Sequence, residues 1–236
     1  MKDAVAFLFL IICCSCTQTE TKDQKTRELE KKEFKQNTSK RDSVKNDTVE
    51  FISYNDNFDY SQLNGKKGKE EIDFINDNNN DRSLLRGDLI AITWKYDSIF
   101  IAGDGETPQN AQWIVSAKKI KDGNVSKFRS EYGKEIKYHF SKEDQLSDSY
   151  LDHLYQLAEY YIANSNKNII KSIIKKKDDL AYSVEKRERE EKQYYVLGIY
   201  TEFEHHINTI QWLYIDPEDD KIYEYDLADD RLIYFP

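Results

Sequence analysis

All three cysteines of the chain, Cys13, Cys14 and Cys16, lie within its first sixteen residues, and no cysteine follows them. A body without thiols has no disulfide, no cysteine-based metal site and no catalytic cysteine. Its stability therefore depends on buried apolar surface rather than on disulfides or thiolate-bound metal. With 39% hydrophobic and 13% aromatic residues, the chain carries enough apolar material for such a core.

The remaining composition is acidic. The chain has 35 Lys and Arg residues against 44 Asp and Glu residues, which gives a formal net charge of -9. The segments before residue 49 contribute a small positive charge, so residues 49–236 carry -11. This is the wrong sign for binding nucleic acid by neutralising phosphates, and we expect no nucleic-acid partner.

Residues 1–16, MKDAVAFLFLIICCSC, are typical of a secretion signal. Lys2 provides a basic start, and nine apolar residues run from Ala4 to Ile12. Such a run fits the hydrophobic region of a signal peptide and is much shorter than the roughly 20 residues that span a bilayer. A leader of this kind also fits a plain secreted protein, and the apolar run fits a buried N-terminal helix.

The end of this leader resembles the lipobox of bacterial lipoproteins, in which a small residue precedes a cysteine that is acylated. Ser15 before Cys16 gives that arrangement, although Cys13 stands where the family usually has leucine. The resemblance implies a type II signal peptide, acylation of Cys16 with palmitate-type chains, and anchorage to the lipid bilayer. The residue after Cys16 is Thr17, whereas an aspartate at that position would resemble an inner-membrane retention signal. We therefore expect a lipid-anchored protein of the cell envelope, at the outer membrane and periplasm, with the membrane leaflet left open.

Residues 17–48 are predicted to form a flexible charged tether. They contain nine basic and seven acidic residues and no glycine or proline, and their only sizeable apolar groups are Leu29, Phe34 and Val44. A segment of this composition cannot bury enough surface to offset its ordering entropy. We expect it to hold the folded part clear of the lipid head groups, with contact to a membrane or a partner as the alternative.

Residues 49–140 are predicted to form a mainly β region. Runs rich in β-branched and aromatic residues have strand length; they are 89–96, 98–102, 112–119 and 135–140. Asp97 is predicted to form a tight turn between the first two runs. No helix is predicted between these strands, so we expect an antiparallel meander, or curled sheet, without parallel crossovers.

Residues 141–236 are predicted to form one or two helices followed by a second antiparallel meander, which makes the fold class α+β. Ser141 and Asp144 resemble a capping box at the start of the first helix. Apolar residues then recur at helical spacing, at Leu146, Tyr150, Leu154, Leu157 and Tyr161. The hairpin at 212–226 resembles the closing hairpin of PepSY-like or cystatin-like secreted domains. The pattern leaves open whether this region shares one core with residues 49–140.

Aromatic side chains in predicted strands are the candidate contacts for a ligand or partner. They are Trp94, Trp113, Trp212, Tyr214, Tyr223 and Tyr225, joined by Tyr234. A row of such side chains on an exposed sheet suits stacking against sugars or an apolar groove of a partner. Packing between sheet and helix is the alternative.

The C-terminal residues 199–236 carry ten acids against Lys221 and Arg231. A patch with a charge of -8 can steer a basic partner protein towards the domain. An immunity protein uses this device against a cationic toxin. Solubility of an exterior domain explains the same charge.

Three groups of residues suggest metal or catalytic chemistry. Glu202, Glu204 and His206 share one face if a single strand runs through them, and would then suit zinc, although an exposed strand face shows the same alternation. The loop at 77–88 partly matches an oxygen-ligand calcium loop, but has an arginine where the sharp turn needs glycine. Asp104 and Glu106 would suit a carboxylate pair for glycan hydrolysis, and the solubility of a hairpin tip explains the same two acids.

Motifs of the common catalytic classes are absent from the sequence: it has no nucleophile elbow, phosphate-binding loop, HExxH motif or dinucleotide fingerprint. We therefore expect a membrane-anchored, non-catalytic envelope lipoprotein that acts as a binding or interaction module, without cofactor or metal. Its expected partners are the bilayer, through Cys16, and a basic protein or a glycan. The alternatives are a toxin-neutralising immunity lipoprotein and a surface glycan hydrolase that uses paired carboxylates.

Overall fold

A computed structural model describes residues 43–79, 81–101, 108–141, 145–203 and 206–236. The chain divides into two units, Met1–Val44 and Lys45–Pro236. Cys16 and residues 17–42 of the predicted tether lie outside the described residues. Among the residues described, no helix combines the length and the apolar character needed to cross a bilayer.

The described part of the second unit begins with a five-stranded barrel. Its strands are β1 (Lys45–Asn55), β2 (Gln62–Lys67), β3 (Glu70–Ile75), β4 (Leu89–Phe100) and β5 (Pro108–Lys121). They close in the order β1-β2-β3-β5-β4, and neighbours are antiparallel except for β3 and β5, which are parallel. This is the connectivity of the five-stranded Greek-key barrels called OB-folds. A fold alone assigns no ligand.

Alternating side chains fill the barrel. Ile90, Ile92 and Trp94 of β4 point inwards and are buried, because successive side chains of a strand face opposite sides. The other buried members of this core are Val49, Phe51, Leu63, Phe74 and Ile114. Gly65 on β2 lets the strands approach closely, since a β-carbon there would come within 2.9 Å of Val49 Cγ2. The barrel thus has a core of its own.

The first half differs from the predicted meander. Strand β1 begins at Lys45, so the last four residues of the predicted tether belong to the barrel. Strand β4 continues through Asp97, which pairs with Ala111 of β5, and the prediction of a turn at Asp97 is wrong. The prediction that parallel pairing is unavailable is also wrong, because closure of the barrel brings β3 beside β5 without a helical crossover.

Three helices and a six-stranded sheet follow in the described chain. The helices are α1 (Asn124–Tyr132), α2 (Asp148–Asn164) and α3 (Asn168–Lys176). The strands are β6 (Lys137–Phe140), β7 (Leu180–Arg189), β8 (Lys192–Phe203), β9 (His206–Ile215), β10 (Ile222–Asp226) and β11 (Arg231–Phe235). The sheet order is β11-β10-β9-β8-β7-β6, with β7 to β11 as an antiparallel meander and β6 parallel to β7.

The predicted α+β class is confirmed, and so are two helices ahead of an antiparallel meander. Helix α2 begins later than expected, because Ser147 rather than Ser141 is its N-cap and accepts a hydrogen bond from the Tyr150 N–H at 3.3 Å. Helix α1 is missing from the sequence prediction. Strand β6 pairs with β7, so the predicted boundary at residue 140 does not coincide with the division between barrel and sheet.

The helices cover one face of the six-stranded sheet. Leu154, Tyr161 and Ile170 from α2 and α3 belong to the same buried cluster as Tyr182 and Leu197 from the sheet. This cluster shares no residue with the barrel core. Barrel and sheet therefore have separate cores, and Phe128, Tyr132 and Ile136 from residues 49–140 belong to the core of the sheet.

Asp88 joins the barrel to helix α1. Its buried carboxylate accepts hydrogen bonds from the Gly123 N–H at 2.8 Å, Ser126 Oγ at 2.6 Å and the Leu85 N–H at 3.0 Å. Lys119 Nζ lies 3.4 Å away. Burial acts to raise the pKa of Asp88, but the three hydrogen bonds and Lys119 outweigh it and hold the pKa below its ordinary value of 3.8. Asp88 is therefore ionised at neutral pH and fixes the start of α1.

Candidate functional site

The six-stranded sheet has a second face, opposite its helices. In β8, Leu197 and Ile199 belong to the core beneath the helices, and Val196, Gly198 and Tyr200 alternate with them on the other side. We call this other side the open face; on β8 its Val196 and Tyr200 are buried, at 0% and 5% exposed, and it opens only towards β10 and β11. Its aromatic residues are Tyr194, Tyr200, Trp212, Tyr214, Tyr223, Tyr225 and Tyr234. Four of the six predicted contact residues thus lie on one surface.

Strand register arranges several of these side chains in a row. Val196 pairs with Tyr214, Tyr214 with Tyr223, and Tyr223 with Tyr234, so the row crosses β8, β9, β10 and β11. The ring centroids of Tyr223 and Tyr234 lie 5.9 Å apart, and those of Tyr214 and Tyr225 lie 5.6 Å apart. Edge-to-face and tilted contacts at such distances are favourable, so the rings support one another.

Gly198 makes room for Trp212. The two residues pair between β8 and β9, and Ser183 pairs with Gly198 from the other side. A β-carbon at Gly198 would come within 2.6 Å of Trp212 Cζ3 and 2.8 Å of Ser183 Oγ. The indole therefore rests against the backbone of Gly198, which sets its position on the open face.

Two arginines of β7 reach over the open face. Arg187 Cζ lies 4.8 Å from the ring centroid of Trp212. Arg189 Cζ lies 5.7 Å from the centroid of Tyr225, and Arg189 Nη1 lies 2.7 Å from Asp230 Oδ1. Strands β8 and β9 separate β7 from β10, so these contacts require the linked ends of β7 and β8 to bend across the sheet. Arg187 covers part of the half-buried Trp212, whereas Tyr234 on β11 remains exposed.

Exposure accordingly increases towards the β11 edge. Tyr214 is 5% exposed, Tyr223 and Tyr225 are half-buried, and Tyr234 is 55% exposed. We call Tyr223 and Tyr234 the edge pair. It is the part of the aromatic row that a partner would meet first.

Acidic turns connect the strands that carry these tyrosines. Glu218, Asp219 and Asp220 lie between β9 and β10, while Asp229 and Asp230 lie between β10 and β11. Residues 216–231 contain eight acids against two basic residues. The aromatic row is therefore bordered by negative charge. The field of this charge extends over about 8 Å, which is the Debye length at physiological salt.

The remaining predicted contacts, Trp94 and Trp113, lie in the barrel and do not join the open face. Trp94 is buried in the barrel core, and its Nε1 donates a hydrogen bond to Asp47 Oδ2 at 2.7 Å. Trp113 is half-buried on β5, with its ring centroid 5.6 Å from that of Tyr60. Trp94 thus follows the packing alternative.

The predicted metal ligands Glu202, Glu204 and His206 do not share one strand. Strand β8 ends at Phe203, β9 begins at His206, and these two residues pair with each other. The chain reverses direction between them, so the assumption of a common face is wrong. Within the ranges the structure describes, no three His, Cys, Asp or Glu side chains are grouped as a metal site. Three of the residues predicted for metal or catalytic chemistry lie outside these ranges: Glu204, Asp104 and Glu106.

The loop that resembles a calcium site uses its oxygens internally. Asn79 Oδ1 accepts a hydrogen bond from the Asp81 N–H, and Asp81 Oδ1 accepts one from the Ser83 N–H, each at 2.9 Å. Asp88, at the last position of the calcium pattern, points towards α1 instead. These contacts give the loop a structural role.

The sequence did not single out Gly198, Arg187 or Arg189, although they shape the open face. Strand β7 runs to Arg189 and β8 begins at Lys192, with Glu190 and Glu191 at positive φ in the turn between them. Both arginines therefore lie within β7. Their alternate spacing in a strand was the signal that they share one face.

Comparison with known proteins indicates no function for the chain. No family model matches the chain, and no curated protein matches its sequence. Among solved structures, an aspartyl tRNA synthetase from Entamoeba histolytica aligns with a TM-score of 0.27 and 9% identity, covering 71% of this chain and 49% of that protein. The chain thus spans about half the length of that enzyme, and a likeness at this level carries no argument about function.

Proposed function

We propose that the chain is a membrane-anchored, non-catalytic binding module of the cell envelope, held at the outer membrane by an acylated Cys16, and that its open face binds a basic protein. The observation that carries this is the gathering of tyrosine, tryptophan and arginine side chains on a sheet face opposite the helices. These three residue types dominate the energetics of protein interfaces.

The charge of the partner follows from the border of the open face. Residues 216–231 hold eight acids; Lys167, Arg189 and Lys192 from other elements pair with some of them, which leaves an excess of negative charge, and residues 49–236 carry -11 overall. Opposite charge on a partner accelerates association and suppresses binding of acidic proteins. The two arginines of the open face do not repel a basic partner, because each is paired with a carboxylate: Arg187 with Glu185 and Arg189 with Asp230, both at 2.7 Å.

A toxin-neutralising immunity lipoprotein is the second candidate. The same acidic C-terminal region favours it, because a cationic toxin is one kind of basic protein. The two differ in phenotype: cells that lose an immunity protein are killed by the toxin it binds, whereas loss of another binding module leaves toxin sensitivity unchanged.

Anchorage is tested by metabolic labelling with palmitate. We expect the wild-type chain to incorporate label and to fractionate with membranes. Cys16→Ser should abolish both, whereas Cys14→Ser should retain both because the small residue before Cys16 is unchanged. An unlabelled wild-type chain, or equal labelling of the Cys16→Ser variant, contradicts the anchor.

Partner binding is tested by a photoreactive phenylalanine analogue placed in intact cells at position 234. Tyr234 and Val115 are both 55% exposed, so the same analogue at position 115 on the barrel is a matched control. We expect a discrete adduct with a basic protein from position 234 and none of that size from position 115. The same adducts from both positions, or adducts with acidic proteins alone, would exclude the open face as the contact surface.

A further inference from the structure

Helix α3 and its two flanking residues concentrate positive charge in an acidic protein. Residues 167–177 contain five lysines and no acid. Lys167 lies 3.4 Å from Glu224 and is thereby compensated. The other four are exposed and have no ion pair with any carboxylate in the described chain. We call them the lysine patch: Lys171, Lys175, Lys176 and Lys177.

Two acids follow the patch, Asp178 and Asp179, against its four lysines. Asp179 is bound by Lys134 at 2.7 Å and by Lys137 at 3.0 Å, on the side of β6. These two lysines are the largest cause of the lowered pKa of Asp179. The patch therefore presents its charge to the surroundings of the protein.

The helix is amphipathic, and its outward side is not purely polar. Ile170 and Ile173 are buried in the core below the helix. At 3.6 residues per turn, Lys171 and Lys175 lie on the outward side, and Ile169 lies on the same flank of the helix as Lys176, about 10 Å away along the axis. Ile169 is 49% exposed. Lysines attract anionic lipid head groups, and an exposed apolar side chain on the same helix can enter the interface.

We propose that the lysine patch contacts the anionic head groups of a lipid bilayer, with Ile169 entering the interface. The contact rests on the proposed anchorage through Cys16, because a tethered domain samples the bilayer at high effective concentration and a few lysines then suffice. It orients the domain so that α3 faces the lipid. A soluble polyanion would match the lysines equally well but would gain nothing from Ile169.

The test uses residues 16–236 with Cys16→Ser, so that neither the apolar leader nor an acyl chain contributes. Sedimentation with vesicles of phosphatidylcholine containing phosphatidylglycerol should show binding that weakens with salt, and vesicles of phosphatidylcholine alone should show little. Each lysine near an anionic surface contributes about fivefold in affinity, so replacing all four by glutamine should weaken binding on the order of 600-fold.

The matched control removes the same charge from the barrel. Four lysines there have no ion pair among the described residues and are likewise replaced by glutamine: Lys66, Lys69, Lys118 and Lys121. This variant should retain most of the binding, and Ile169→Ser should weaken binding without any change of charge. Thermal unfolding of each variant checks that the fold is kept.

Three results would overturn the contact: equal loss in patch and control variants, equal binding to uncharged vesicles, or competition by soluble heparin with no effect of Ile169→Ser. Palmitate labelling separates this inference from the anchor. If the wild-type chain is labelled but its unlipidated form does not bind anionic vesicles, only the lysine contact is contradicted. If the unlipidated form binds vesicles but the wild-type chain is not labelled, only the acyl anchor is contradicted.

Discussion

Replacement of Asp88 by alanine is expected to lower the free energy of unfolding by about 3 to 5 kcal/mol. The change leaves the Gly123 N–H and the Ser126 hydroxyl without their acceptor at the start of α1. It also removes the negative charge beside Lys119. Denaturant titration at neutral pH measures the loss.

Asp122→Ala is the control for this substitution. Asp122 is exposed and pairs with the same Lys119 at 2.9 Å, but no hydrogen bond from α1 depends on it. Its loss should cost less than about 1 kcal/mol, as for other exposed pairs. Equal stabilities of the two variants would show that Asp88 does not hold the junction.

The lowered pKa of Asp88 also determines how the free energy of unfolding depends on pH. Its folded pKa lies below the value of 3.8, so its contribution is complete above that value and is lost as the pH falls through the folded pKa. The wild-type protein should therefore lose stability more steeply below about pH 4 than Asp88→Ala does. The same acid dependence in both proteins would contradict the lowered pKa.

Gly123→Ala is expected to destabilise the protein by about 3 kcal/mol or more, through steric overlap. The backbone at Gly123 has φ -74° and ψ -178°, which any residue can adopt. An added β-carbon would, however, lie 2.3 Å from the carbonyl carbon of Gly87 and 2.7 Å from the nitrogen of Asp88. These are backbone atoms that cannot rotate away, so the barrel and α1 must separate.

That separation would also break the hydrogen bonds to Asp88. The double variant with Asp88→Ala should therefore lose less stability than the sum of the two single losses. Gly68→Ala is the control, because no atom lies within 4 Å of its added carbon and its φ of +67° costs alanine about 1 to 2 kcal/mol. Full additivity, or a Gly123→Ala protein as stable as Gly68→Ala, would contradict the close approach.

The strands of the second sheet were readable from the sequence because each buries one side. Leu213 and Ile215 of β9 face the helices while Trp212 and Tyr214 face away, and this alternation marks a half-buried strand. Strand β2 offers no such pattern. Leu63 is its only large apolar side chain, and its pairing depends on closure with distant strands.

Helix α1 was missed for a related reason. It follows Gly123, has no side-chain N-cap of its own, and carries only a few apolar residues. The group that satisfies its start, Asp88, lies 35 residues earlier in the chain. A contact of that separation leaves no local signal.

The candidate site was predictable in part. The aromatic residues of β9 and β10 stood at alternate positions, which indicated a common face. Trp94 has the same chemistry, yet barrel closure buries it. The roles of Arg187 and Arg189 depend on bending of β7 and β8 across the sheet, and neither spacing nor composition encodes that curvature.

Binding through the open face is decided by the Kd of the captured basic protein for a chain carrying Tyr223→Ala and Tyr234→Ala. Loss of the edge pair should raise the Kd by about 30-fold or more, as for central aromatic residues of protein interfaces. Phe58→Ala with Val115→Ala removes two exposed apolar side chains from the barrel and should leave the Kd unchanged. An unaltered Kd in the edge-pair variant, with its fold intact, would contradict the open face as the binding surface.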